Sequence, residues 1–186
     1  RAAGQLNPSF TPYFSQSYEL PQHVLDLFPE PDQTFNTPSF TNGQKSFTSQ
    51  AQMMAFLHDL NEKTEHMRLD IIGHSHEGRE IPMLVYTKSA SEDSEDFKQK
   101  PTVWLQAHVH GHEPASGESA LVIAEKLARE ELGQELLDDI NVVILPRINP
   151  DSAYYFEQLS STKINGNRDH VNLEMPELQA LHAAFN

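Results

Sequence analysis

The sequence predicts an α/β domain built on a mixed, mostly parallel sheet of at least four strands with helices on both faces. Three observations predict it. Short apolar runs at 103–107 and 141–145 have the composition of strands buried on both faces. Between them Ala120, Ile123, Ala124 and Leu127 recur at helical spacing, giving the strand, helix, strand order of a right-handed crossover. Ahead of these, 69–72 and 81–87 read as two strands joined by a polar turn at 74–78, an antiparallel hairpin.

Residues 1–47 carry Pro8, Pro12, Pro21, Pro29, Pro31 and Pro38 among Ser, Thr, Asn and Gln, which predicts an irregular arm lying on a domain of residues 48–186. The stretch 21–28 can form a helical turn. From Phe47 the pattern becomes regular: Met53, Phe56, Leu57 and Leu60 fall on one helical face after Thr48 and Ser49, which can cap a helix over 49–64. The long helix around 120–127 is continued or followed by Leu136, Leu137 and Ile140. Polar residues then dominate 149–174, too long for a plain connector and so a candidate functional loop. A last helix starts at Pro176, a favoured first-turn residue, with Leu178, Leu181, His182 and Phe185 on one face.

The balance of charge narrows the partners. Twenty-seven acidic against thirteen basic side chains give a net charge of −14, which repels phosphate backbones and anionic membranes, so neither nucleic acid nor membrane is expected as a partner. No apolar run approaches the roughly 20 residues that cross a bilayer. The chain begins with Arg1, so its start is silent about targeting. A periplasmic or secreted location is favoured over a cytoplasmic one, and the absence of cysteine does not decide between them. That absence does exclude disulfides, thiolate zinc sites and cysteine nucleophiles; any metal must be held by His and carboxylate side chains.

The segment 106–114 runs Gln106, Ala107, His108, Val109, His110, Gly111, His112, Glu113, Pro114 where the first buried strand should end and the long helix begin. Ligand sites in open α/β sheets lie beyond the carboxyl ends of strands. Zinc accepts neutral imidazole and carboxylate ligands, and His110 and Glu113, three residues apart on a turn, can both aim at one ion, with Gly111 letting the backbone turn between them. His108 would share a face with His110 on an extended segment, and His112 would compete with Glu113 for the same turn, so both are weaker candidates. An isolated His-x-x-Glu is frequent by chance, and its bland alternative is a solvated polar loop.

The surrounding motifs decide between these readings. Residues 110–114 match the His-Gly-x-Glu-Pro pattern that ends a strand in the carboxypeptidase A-like zinc metallocarboxypeptidases, and the long helix follows as it does there. Residues 72–80 resemble that family's Gly-x-Ser-x-Glu-Gly-Arg hairpin, Asn149, Pro150 and Asp151 its Asn-Pro-Asp-Gly turn, and Asn167, Arg168 and Asp169 the segment whose Asn-Arg pair grips a substrate's terminal carboxylate. This chain therefore resembles the N-terminal part of such a catalytic domain. Arg168 offers a planar fork of donors suited to a carboxylate, and the Asn167 amide adds a donor on the same loop. In the hairpin, Ser75, Glu77, Gly78 and Arg79 read as structural, and His74 and His76 as exposed turn residues.

The resemblance implies a Zn2+ cofactor, a peptide or acyl-amino-acid substrate with a free carboxylate, and metal-assisted amide hydrolysis. Zinc on His110, Glu113 and a later histidine would acidify water, and a later glutamate would take its proton. That third ligand and that base are expected after Asn186, so no catalytic residue is assigned within the sequence. The family's oxyanion arginine also has no counterpart: none lies between Arg147 and Arg168, where Gln158 or Lys163 is the available donor. Ser152 stands where the turn usually has glycine. Two rivals remain, an N-acyl amino acid deacylase of the aspartoacylase type and a non-catalytic module that keeps the carboxylate pocket.

Overall fold

The computed structural model describes residues 21–28, 34–41, 46–132 and 135–185. Helix α1 (Gln22–Leu25) and a 3-10 turn (Pro38–Phe40) precede α2 (Gln50–Glu62), strands β1 (Met67–His74) and β2 (Glu80–Tyr86), and α3 (Glu95–Gln99). The remaining order is β3 (Thr102–Gln106), α4 (Pro114–Ala128), α5 (Leu136–Asp139), β4 (Asn141–Leu145), α6 (Pro150–Tyr155), a second 3-10 turn (Gly166–Arg168) and α7 (Pro176–Phe185).

Each boundary has a local cause. Ser49 caps α2 with its hydroxyl on the Gln52 N–H, while the Gln52 side chain returns a bond to the Ser49 N–H, a reciprocal box that satisfies two orphan donors. Pro114, Pro150 and Pro176 open α4, α6 and α7, where a missing N–H costs nothing. Helix α6 ends in a left-handed residue, Phe156, at φ 54°.

The four strands form one sheet in the order β1-β2-β4-β3. The hairpin is antiparallel, pairing Met67 with Tyr86 and His74 with Glu80, and β3 runs parallel to β4 from Thr102 opposite Asn141 to Gln106 opposite Leu145. Strand alternation sends successive residues to opposite faces. Leu84, Tyr86, Val142 and Ile144 pack with α2 and α4 on one face, while Met83, Val85, Val143 and Leu145 pack with Met175, Leu178 and Leu181 on the other. The expected helices on both faces are thus in place. Tyr86 adds a bond from its hydroxyl to the Ala124 carbonyl at 2.8 Å, pinning β2 to α4.

Three expectations need correction. The sheet is mixed, but among the described strands only the β3–β4 pairing is parallel, because the hairpin joins β4 through β2 in antiparallel sense. Strand β4 is buried on both faces, whereas β3 lies at the edge among the described strands and leaves Val103 40% exposed. The stretch 149–174 is not loop throughout, for it opens with α6, whose Asp151 and Ser152 are polar yet buried. The 1–20 portion of the anticipated arm lies outside the described residues. Nearer the domain, Thr37 is buried and the Ser39 hydroxyl donates to Glu118 of α4 at 2.7 Å.

Glu177, in the first turn of α7, is 1% exposed and accepts the His76 N–H at 3.2 Å through one oxygen; the other has no hydrogen-bond partner among the described residues. Burial first, with the nearby Asp151 charge, holds its carboxyl above the usual carboxylate range. A carboxyl raised in the fold contributes stability below its unfolded pKa, and that contribution is lost as pH rises through the folded value. Glu177→Gln keeps the acceptor for His76 and removes the charge. It is expected to raise the melting temperature at pH 7 by roughly 2–4 °C, the shift about 1 kcal/mol produces in a domain of this size, with the gain shrinking as pH falls towards 4. Melting curves across that pH range check it; a lower melting temperature for Glu177→Gln at pH 7 would mean that the charge is stabilising.

Candidate metal centre

The turn that carries His110 and Glu113 leaves the end of β3 and enters α4, held by a bond from the Glu113 N–H to the His110 carbonyl at 3.1 Å. Gly111 lies at its apex against the backbone of α6. A Cβ on residue 111 would fall 1.9 Å from the Ser152 carbonyl carbon and oxygen and 2.4 Å from the Ala153 nitrogen. Only a residue without a side chain lets the turn approach α6 so closely. The glycine is therefore required by contact, where the sequence had suggested chain reversal.

The two side chains converge. His110 Nδ1 lies 3.2 Å from Glu113 Oε1, and His110 Nε2 lies 3.1 Å from Asn165 Oδ1. The same Asn165 oxygen accepts the Asn167 N–H at 2.9 Å, which identifies it as the carbonyl end of the amide. An acceptor at that end requires His110 to carry its proton on Nε2 when neutral, leaving the Nδ1 lone pair facing a carboxylate oxygen. Two acceptors at this separation need a cation or a proton between them. Zinc–nitrogen and zinc–oxygen distances of about 2.0–2.2 Å at a tetrahedral angle put two donors roughly 3.4 Å apart. The pair therefore fits two corners of a zinc site, and Asn165 fixes the ring as partners beyond the ligands commonly do.

The other histidines are placed differently. His112 sits beside the pair, its Nε2 3.8 Å from Glu113 Oε1 and its ring 6.0 Å from that of His110. His108 is 4% exposed and points away: its Nδ1 accepts from Arg147 Nε at 3.2 Å, and its Nε2–H donates to the Gly111 carbonyl at 3.1 Å. Its backbone has φ 56°, so the segment is not extended there and the shared face expected for 108 and 110 does not form. Burial, then the neighbouring Arg147 charge, push its pKa down to about 3, and the ring stays neutral. Among the described residues no group of three or more His, Asp or Glu side chains is arranged to hold a metal ion.

The second 3-10 turn brings Asn167 and Arg168 to the site through Asn165, which caps that turn while holding His110. Asn167 and Arg168 are both exposed. Asp169, the alternative partner for Arg168, is buried and turned inwards, accepting the Glu174 and Met175 N–H groups at 3.0 and 2.7 Å. Among the described residues Arg168 donates to the Asn167 carbonyl, at 2.9 Å, and no carboxylate pairs with it. Its fork is available for an incoming carboxylate. Of the two candidate oxyanion donors, Lys163 is engaged with Glu157 at 2.5 Å, and Gln158 is half-buried.

The hairpin motif and the Asn-Pro-Asp motif are two halves of one buried cluster. Asp151 is fully buried and accepts from Ser75 Oγ at 2.6 Å, the Glu77 N–H at 2.9 Å, Arg79 at 2.6 Å and Ser161 Oγ at 3.2 Å. Arg79 also pairs with Glu77 and lies 4.3 Å over the Tyr154 ring. Gly78 provides the positive φ, 83°, that the turn needs, and His74 and His76 are exposed. This cluster joins β1–β2 to α6 and so supports the surface on which Gly111 rests.

Comparison with known proteins follows the same lines. Residues 53–174 match the family model described as zinc carboxypeptidase. The chain is 32% identical over 148 residues to Carboxypeptidase 2 of Trichophyton rubrum, an alignment covering 78% of this chain and 28% of that relative. Carboxypeptidase Z of Homo sapiens is 31% identical over 112 residues, covering 57% of this chain and 17% of its own length. Among solved structures, a metallo-carboxypeptidase from Burkholderia cenocepacia superimposes with a TM-score of 0.63 at 21% identity, covering 73% of this chain and 37% of that one. The carboxypeptidase A from Helicoverpa armigera gives 0.63 at 18% identity, covering 88% and 49%. These structural likenesses show the fold, and the chain spans under a third of the length of its curated relatives cited here.

Proposed function

The chain belongs to the zinc carboxypeptidase family, and from that premise we propose that it supplies two zinc ligands, His110 and Glu113, and the carboxylate-binding pair Asn167 and Arg168 of a metallocarboxypeptidase. The observation that carries this reading is the pair of facing acceptors, His110 Nδ1 and Glu113 Oε1 at 3.2 Å, with the imidazole proton held on the far side by Asn165. On this reading residues 48–186 form the N-terminal part of the catalytic domain, with 1–47 as its arm.

Zinc held by His110 and Glu113 would supply Lewis acidity at this site. Asn165 keeps the Nδ1 lone pair of His110 directed towards Glu113, where the two would hold the ion. Gly111 keeps the two ligands close by resting on α6. Arg168 and Asn167 anchor the terminal carboxylate, fixing which amide bond comes to the metal; such anchoring converts binding into orientation. That arrangement supports removal of residues from the C-terminus of a peptide as the activity proposed.

The test uses the full-length protein with three substrates: a peptide with a free C-terminus, its C-terminal amide, and an N-acyl amino acid. Turnover of the first and not the second is expected. Arg168→Ala should lower kcat/KM for the free peptide by about 10- to 100-fold, the loss of a charge-assisted hydrogen bond, mainly through KM. Turnover of the N-acyl amino acid alone would transfer the assignment to a deacylase. Peptide binding without turnover would favour a non-catalytic module, a reading to which the absence of arginine between 147 and 168 gives its one specific support.

No helix among the described residues is long and apolar enough to cross a membrane.

A further inference from the structure

Two buried charges lie behind the metal-binding turn and have no part in the chemistry proposed above. Arg147, at the end of the segment leaving β4, is 6% exposed and donates to the Thr48 carbonyl at 2.7 Å, to Gln50 at 3.3 Å and to His108 Nδ1 at 3.2 Å. Glu118, on α4, accepts the Thr48 N–H at 2.7 Å, the Thr48 hydroxyl at 2.8 Å and the Ser39 hydroxyl at 2.7 Å. Thr48 therefore links a buried cation to a buried anion, each satisfied through it, and both are fixed because leaving either unpaired in the interior is costly.

The His108 side chain connects this network to the turn. It spans from Arg147 Nε to the Gly111 carbonyl, while its own N–H donates to Ser116 Oγ at 3.0 Å and its carbonyl accepts the Asn149 N–H at 3.3 Å. It holds φ 56°, a strained region for a non-glycine residue that persists only where surrounding contacts over-determine it. The ring packs against Gly117, where an added Cβ would lie 3.0 Å from His108 Nδ1, so α4 leaves room for an imidazole here. A merely apolar filler would use neither nitrogen.

We infer that His108 is a positioning residue for the metal site: by tying the Gly111 carbonyl to the Arg147–Thr48–Glu118 network it sets the spacing of His110 and Glu113 and thereby the affinity for zinc. This rests on the metal site proposed above. The positive φ suggests the clean variant, since glycine accepts that backbone without strain and His108→Gly removes only the side chain. His108→Gln retains one donor and one acceptor on a planar group.

The experiment compares wild type, His108→Gly and His108→Gln in the full-length protein, well below the unfolding temperature of each. Zinc affinity is read by competition with a chelator, the ligand geometry by the absorption spectrum of the cobalt-substituted protein, and the turn by amide hydrogen exchange at 109–113 without metal. His108→Gly is expected to bind zinc about 10- to 100-fold more weakly, the usual effect of removing support beyond the ligands, with an altered cobalt spectrum and faster exchange. His108→Gln should recover part of the affinity. Unchanged zinc affinity and cobalt spectrum in His108→Gly would overturn the inference even if its melting temperature fell. A wild type that binds no zinc would instead overturn the metal site itself, and the inference with it.

Discussion

Gly111→Ala is expected to destabilise the domain by about 4 kcal/mol or more, beyond the usual range for a single substitution. The added methyl would sit 1.9 Å from main-chain atoms of Ser152, and main chain inside a helix cannot turn aside as a side-chain tip can. Relief requires α6 and the turn to separate. Helix α6 is held from behind by Asp151, and the turn is held by Pro114 opening α4 and by His108, so neither moves without breaking buried hydrogen bonds. The denaturant midpoint measures the loss. A cost below about 1 kcal/mol would mean that the two backbones part freely, and the close approach would then be incidental to the site.

Asp151→Ala should cost about 3 kcal/mol, the lower end of the range for removing one partner of a buried ion pair. Its carboxylate gathers Ser75, the Glu77 N–H, Arg79 and Ser161, all of which would lose an acceptor at once. The estimate stays at the lower end because Arg79 retains Glu77 and its side chain is 21% exposed. Urea unfolding of Asp151→Ala beside Arg79→Ala and the double variant separates the pair from its surroundings. A double variant no less stable than either single one would indicate that most of the cost is the orphaned partner, as double-mutant cycles are designed to reveal.

Much of this architecture is legible in the sequence because it rests on local signals. The Ser49 cap and the spacing of Met53, Leu57 and Leu60 give α2 within two residues of its observed ends. Two short apolar runs flanking the polar turn at 74–78 give the hairpin, and the His-Gly-x-Glu-Pro segment falls at the end of β3 as expected. Failures occur where the deciding contact is distant in sequence. Strand β3 has the composition of a buried strand, yet its exposure depends on which strands flank it, which periodicity does not encode. The apparent pairing of His108 with His110 assumes an extended backbone, and the left-handed turn at His108 removes it.

Asn165 and the pairing of Asp151 with Arg79 are hidden for a related reason. Asn165 lies 55 residues from His110 and reads as one more polar loop residue; the available signal is chemical, since a metal-ligating imidazole needs an acceptor on its other nitrogen. Asp151 was visible as part of the Asn-Pro-Asp turn and Arg79 as part of the hairpin, 72 residues apart, and each motif has an evident local role that conceals their pairing. Burial of polar residues in α6 also made a helix resemble loop.

The central claim is that His110 and Glu113 hold a zinc ion, and the most direct measurement is the zinc content of the zinc-replete full-length protein, determined with its intact mass, for wild type, His110→Ala and Glu113→Gln. One zinc per chain in wild type and substantially less in both variants is the predicted result. Full zinc occupancy in both variants, or none in wild type, would contradict it.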